Sequence, residues 1–170
     1  MIRSLIAAKR FDSLVVIPAG DPYQKTLNAS AEDRFSMLKL ALGGEEVQLS
    51  DCEIRRDGPS YALDTVNEIK GSIPAERYSW VMGSDAFAGL PSWNRFEELA
   101  KSVDFIVVKR PGSPDPKPIP GVEYEAIEIS ALDISSTEIR NRLKNGEDVG
   151  ELVPASVASY IRERGLYGAA

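Results

Sequence analysis

The chain has 170 residues, a net charge of -6, one cysteine and no histidine. That length suits one domain, 1–170, able to bury roughly two-thirds of its unfolded surface. The acidic balance argues against a sequence-independent grip on nucleic acid, and the lack of imidazole removes Ser-His-Asp and Cys-His triads and histidine-ligated metals.

No apolar run approaches the ~20 residues of a membrane span, and no signal peptide is visible, so the sequence reads as soluble and cytoplasmic. Cys52 has no companion for a disulfide or a metal site and reads as a small apolar filler in a reducing compartment.

In chain order, Ile2, Leu5 and Ile6 have helical spacing, and Leu14 to Ile17 is a continuous run expected of a strand buried on both faces. A polar loop, Pro18 to Asn28, leads to a helix opened by Ser30 and Asp33 with a buried stripe at Phe35, Leu38 and Leu42. Val47 to Asp51 alternates like a strand, Asp57, Gly58 and Pro59 turn, and Tyr61 to Lys70 reads as a helix. Tyr78 to Met82 is the next strand. Then come a helix at Asn94 to Ala100, a strand at Phe105 to Val108, a Pro-rich loop at Pro111 to Pro120 and a strand at Val122 to Ile129. Two helices close the chain: Ser136 to Lys144, and one with Pro154 inside its first turn that stops near Gly165. Alternating strands and helices predict an α/β fold with a doubly wound parallel sheet. Such folds ordinarily open on a central strand whose following turn takes phosphates, whereas this sequence opens in a helix. The expectation is a fold lacking its first strand.

Ligands of open α/β sheets collect at strand ends, and four segments fall there. The first carries Lys25 on a loop. The second, Gly58 to Thr65, runs from a Gly-Pro turn into a helix whose first amides suit a carboxylate or phosphate. In the third, Gly83 to Trp93, expected as a single loop, the carboxylate of Asp85 suits ribose hydroxyls. Trp93 reads either as a core plug or as a flat face for a base. The fourth is a helix start built to hold an anion. Ser135 and Glu138 form a capping box, with Ile134 and Ile139 as a hydrophobic staple around it. The amides and hydroxyls of Ser136 and Thr137 converge there, and Arg140 lies one turn on, with Lys109 and Arg110 as further basic partners.

Gly-Ser-Asp-Ala-Phe-Ala-Gly-Leu-Pro-Ser-Trp, Pro-Ser-Tyr-x-x-Asp-Thr and Ile-Ser-Ser-Thr-Glu-Ile-Arg occur in that order, and Leu152, Val153, Pro154 and Ile161 to Tyr167 close the chain. Together they resemble bacterial nicotinate-nucleotide adenylyltransferases of the Rossmann-like nucleotidylyltransferase superfamily. The resemblance implies an enzyme of NAD biosynthesis that joins ATP and nicotinate mononucleotide, with Mg²⁺ bound through the substrate phosphates. It implies Trp93 under the nicotinate ring, Tyr61 and the backbone at Ala62 around its carboxylate, and Lys25 at the mononucleotide or reacting phosphates. Gly83 and Asp85 would lie against the nucleotide, with Ile134, Ser135, Ser136, Thr137 and Arg140 on the ATP side.

Two departures accompany it. Ala62 stands where relatives usually carry Thr, and the family's first strand and its Gly-Thr-Phe-Asp-Pro-x-His-x-Gly-His loop are not in this sequence. No catalytic side chain and no protein metal ligand is therefore expected among these residues. A mis-assigned start or a fragment is expected to explain the lack. Two rivals remain: an inactive nucleotide-binding module, and a sibling enzyme acting on nicotinamide mononucleotide. The Leu-Pro-x-Trp and Tyr-x-x-Asp-Thr loops argue against a phosphopantetheine enzyme. No membrane or nucleic-acid partner is expected, and the oligomeric state is left open.

Overall fold

The computed structural model describes residues 2–21, 29–129 and 135–169. The described chain divides into two compact units, Met1–Arg10 with Ser60–Ala131, and Phe11–Pro59 with Leu132–Ala170.

The first unit begins with helix α1, Ile2–Ala7, which buries Leu5. Its sheet consists of the strands Ser79–Gly83 (β3), Asp104–Lys109 (β4) and Tyr124–Glu128 (β5), all parallel in the order β3-β4-β5. The central strand buries Phe105, Ile106, Val107 and Val108 in succession, as a strand with a neighbour on either side and covered faces must. The helices Ala62–Ser72 (α4), Ser84–Ala88 (α5) and Phe96–Ser102 (α6) supply the cover. Leu63 and Val66 from α4, Phe87 from α5, Leu90, and Leu99 from α6 close over Met82, Phe105 and Val107. Phe87, Leu90 and Leu99 lose essentially all solvent contact, each worth about 1.5–3 kcal/mol of transfer free energy.

The segment Gly83 to Trp93, expected as a loop, is instead helical: α5 is followed by a 3₁₀ turn at Leu90–Ser92. Five residues between two glycines are too few to show a 3.6-residue period. Phe87 and Leu90 in the core decide the conformation. The Pro-rich loop is irregular as expected, and the Tyr124 hydroxyl ties it down by donating to Pro116 O at 2.7 Å.

In the second unit, Val15–Val16 (β1) and Gln48–Leu49 (β2) pair in parallel. The expected strand Leu14 to Ile17 is thus shorter than read, and its four residues are half-buried rather than buried on both faces. Among the described residues its ladder runs to one partner, with Leu14 O and Val16 O accepting from Gln48 N and Ser50 N. A one-turn helix, Cys52–Arg55 (α3), follows β2 and was not legible in the sequence; Cys52 is buried in it.

Helix α2, Ala31–Ala41, starts at Ser30, whose Oγ accepts from Asp33 N. The expected stripe Phe35, Leu38, Leu42 is half-buried, while the buried residue of this helix is Asp33. The reason is a polar tie to the last helix, Ala155–Glu163 (α8). Asp33 accepts from Tyr160 Oη at 2.9 Å, Arg164 Nε at 3.2 Å and Ser30 Oγ at 2.9 Å. A carboxylate so supplied with donors tolerates burial. Pro154 is the N-cap of α8 rather than part of its first turn. Leu143, Val149, Val157 and Ile161 form this unit's core, with Met37, Ala41 and Ile139 against it. Among the described residues, no helix is long and apolar enough to cross a membrane.

Candidate active site

In the first unit, β3 ends at Gly83, and the chain turns at once into α5. Gly83 has an ordinary extended backbone, φ -78° and ψ 160°. A Cβ built there would meet nothing within 4 Å among the described residues. Neither its conformation nor its packing against them calls for glycine at this strand end, which leaves room for a ligand to approach the backbone. Asp85, exposed in the first turn of α5, stands two residues beyond it.

Tyr61 is the N-cap of α4 in extended conformation, and its side chain makes no cap hydrogen bond. Its carbonyl accepts from Thr65 N at 3.2 Å and Thr65 Oγ1 at 3.3 Å, which fixes the first turn on which Ala62 sits. From that same turn, Asp64 reaches Arg95, 3.7 Å away. Arg95 holds a left-handed backbone, φ 53° and ψ 40°, and grips Glu98 through two bonds of 2.9 and 2.8 Å. The start of α4 and the turn carrying Trp93 are thereby tied together. Trp93 is half-buried, and its ring stands perpendicular to Trp80, centroids 6.1 Å apart at 83°. It is thus packed on the core and still partly open.

In the second unit, helix α7, Ser136–Lys144, begins as its sequence requires. Ser135 Oγ accepts from Glu138 N at 3.0 Å. Glu138 turns Oε1 to Arg142, 2.9 Å away. Ser135, Ser136 and Thr137 are exposed, and Arg140 folds back over the helix start to donate to Thr137 Oγ1 at 3.2 Å. The guanidinium therefore already lies where an anion on the first-turn amides would need it.

Ser136 and Arg34 line one open, largely apolar groove of about 490 Å³ with Pro18, Met37, Val153 and Val157. The Arg34 guanidinium donates to Ala19 O and, at 2.9 Å, to Gly20 O, pinning the chain just after β1. Among the described residues, its Nε is buried without an acceptor. Burial pushes the Arg34 guanidinium below its ordinary range, opposed by Tyr167, Glu32 and Glu53. Tyr167 is half-buried with a left-handed backbone, φ 59° and ψ 19°. Burial holds its phenol above the ordinary 10.0, with Arg140 and Arg34 pulling it down.

Several expected residues are thus brought together within a unit: Tyr61, Ala62 and Trp93 in one, Ser135, Ser136, Thr137 and Arg140 in the other. Lys25 and Ile134 lie outside the described residues. Lys109, read as a further basic partner for the helix start, is engaged elsewhere. Its Nζ binds Asp115 at 2.7 Å and lies 3.9 Å from Glu128, and the Asp115 bond raises its pKa. The contacts of Arg34, Arg95 and Trp80 escaped sequence reading, as did those of Asp33, read only as a helix opener, and of Tyr167, read only as part of the closing motif. Ser30-x-x-Asp33 and Arg95-x-x-Glu98 are local pairs, whereas the contacts of Arg34 and Trp80 join residues of different elements.

Residues 5–142 match the family described as cytidylyltransferase-like. A probable nicotinate-nucleotide adenylyltransferase of Dehalococcoides mccartyi is 38% identical, aligned over 92% of this chain and 82% of that protein. The chain belongs to the nicotinate-nucleotide adenylyltransferase family. A second probable nicotinate-nucleotide adenylyltransferase, from Bordetella petrii, is 36% identical over 98% of this chain and 89% of its own. The fold agrees as well. The structure of Plasmodium falciparum nicotinic acid mononucleotide adenylyltransferase complexed with NaAD superposes with a TM-score of 0.79 at 20% identity. It covers 99% of this chain and 90% of that one. The parallel α/β architecture of the adenylyltransferase family is therefore the architecture of this chain.

Proposed function

We propose that this protein transfers the adenylyl group of ATP to nicotinate mononucleotide, giving nicotinate adenine dinucleotide and pyrophosphate in NAD biosynthesis. The observation that carries the reading is the kinship with probable nicotinate-nucleotide adenylyltransferases over 92% of the chain. The local geometry of both units is consistent with it.

In this reading a phosphate oxygen of the mononucleotide attacks the α-phosphorus of ATP in line. The new P–O bond forms as the bond to the bridging oxygen of the β-phosphate breaks, and the electron pair leaves with pyrophosphate. No covalent protein intermediate is needed, so the residues of this chain act by holding and orienting. The α7 amides, Ser136, Thr137 and Arg140 hold the ATP phosphates. Gly83 lets the nucleotide lie against the backbone, and Asp85 accepts from ribose hydroxyls. Trp93 stacks on the pyridine ring, and the first-turn amides of α4 at Ala62 receive its carboxylate. Because a backbone amide serves here, Ala62 can stand where relatives carry a hydroxyl. Mg²⁺ bound through the ATP phosphates would neutralise the charge of the departing pyrophosphate.

The test is chromatographic detection of dinucleotide from ATP with nicotinate or nicotinamide mononucleotide, alongside calorimetric binding of each. Product from the acid form in preference to the amide is expected. A preference for the amide would move the protein to the sibling specificity. Tight binding of both nucleotides with no product would make it a nucleotide-binding module.

A further inference from the structure

Granted Trp93 as the pyridine platform, we propose that Trp80 is a positioning residue that sets the plane of the Trp93 ring and so governs affinity for the mononucleotide. The backbone around Trp93 is fixed on both sides: its N–H donates to Leu90 O at 2.9 Å, and its carbonyl accepts from Phe96 N at 3.2 Å. That leaves the side-chain torsions, and the outer one of an indole is broad and weakly held by its own chemistry. A neighbour must set the ring plane. Trp80 lies on the core face of β3, two residues before buried Met82 and in register with buried Phe105. Its ring meets Trp93 at 83° with centroids 6.1 Å apart, within the range of a favourable edge-to-face contact.

The perpendicular arrangement matters for ligand binding. A perpendicular neighbour covers less of the Trp93 ring than a parallel one would, which keeps a face for the pyridine. Both indoles belong to the first unit's core group, in which Trp93 is half-buried and keeps an open portion. Two residues after Trp93, Arg95 ties the chain to Asp64 and Glu98. Trp80 and Arg95 thus hold the turn in two ways, one through the ring and one through the chain that follows it.

The chain has two tryptophans, so substituting Trp80 leaves Trp93 as the only indole emitter. The experiment compares Trp80→Phe, Trp80→Leu and Trp80→Met by calorimetry and by quenching of Trp93 fluorescence on titration with nicotinate mononucleotide. ATP affinity and thermal melting are read in parallel. Trp80→Phe, which keeps an aromatic edge, should bind the mononucleotide within about twofold of wild type. Trp80→Leu and Trp80→Met should lose about three- to tenfold in mononucleotide affinity, with shallower quenching at saturation and unchanged ATP affinity. If Leu prevents folding, Met fills the space without an aromatic edge and decides the matter. Equal affinity and quenching in the Phe and Met variants would overturn the proposal, as would a parallel loss of ATP affinity. If Trp93→Ala leaves mononucleotide affinity unchanged, the platform reading fails and the proposal with it. If Trp93→Ala impairs binding while Trp80→Met does not, the platform stands and only the role of Trp80 is refuted.

Discussion

Arg140 reaches the α7 start, donating to Thr137 Oγ1 at 3.2 Å. A phosphate bound there would meet the guanidinium with little side-chain reorganisation. Charge-assisted hydrogen bonds contribute about 1.5–3 kcal/mol each, so Arg140→Ala should weaken ATP binding by roughly one to two orders of magnitude while leaving nicotinate mononucleotide nearly unaffected. Calorimetry with each nucleotide separates this from a structural role, in which both affinities fall together. Trp93→Ala should do the reverse, costing the mononucleotide about 1–3 kcal/mol and ATP little. Asp33 is a residue of stability rather than of binding. Bonds from Tyr160 and Ser30 hold its carboxyl below the ordinary 3.8 against the opposing effect of burial, with Arg164 adding to the lowering. A depressed folded pKa contributes stability that is complete above 3.8 and is lost as pH falls through the lowered value. Asp33→Asn should therefore melt well below wild type at neutral pH, and the gap should narrow as melts are run toward pH ~2.

At the scale of elements, the proposed site draws on strand and helix ends, where backbone groups lack partners within their own element. The chain after β1 shows how tightly such an end is built. Gly20 lies against the backbone of α3 so closely that a Cβ would fall 1.9 Å from Glu53 O, and Arg34 grips the carbonyls of Ala19 and Gly20 from α2. Gly20→Ala must move backbone, and a loss of about 1–3 kcal/mol in chemical denaturation is expected. Ser135→Ala removes the N-cap of α7 and should cost about 0.5–2 kcal/mol. The strands β1 to β5 and the long helices were legible because runs such as Phe105 to Val108 and caps such as Ser30 are local signals. Helices α3 and α5 were not, since four or five residues show no period and their conformation follows from burial of Cys52 and Phe87.

For the molecule as a whole, ligands that bind only the folded chain must raise its melting temperature. Nicotinate mononucleotide at about 100 times its Kd should add ~2.7 kcal/mol, or roughly 5–10 °C for a chain of this size. The amide analogue at equal concentration should shift melting less, and an equal or larger shift would contradict the proposed acid specificity. The acidic charge, the absence of histidine, the parallel α/β class and the family are properties of the sequence itself. Composition and ordered motifs at strand ends do not depend on how side chains meet. The tertiary structure decided what those signals could not: that Asp33 rather than Phe35 is buried in α2, that Lys109 is tied to Asp115, and that Trp93 meets Trp80 edge to face. Each of these joins side chains from different elements, often far apart in the chain. Such pairings arise from packing, which local propensity and periodicity do not encode.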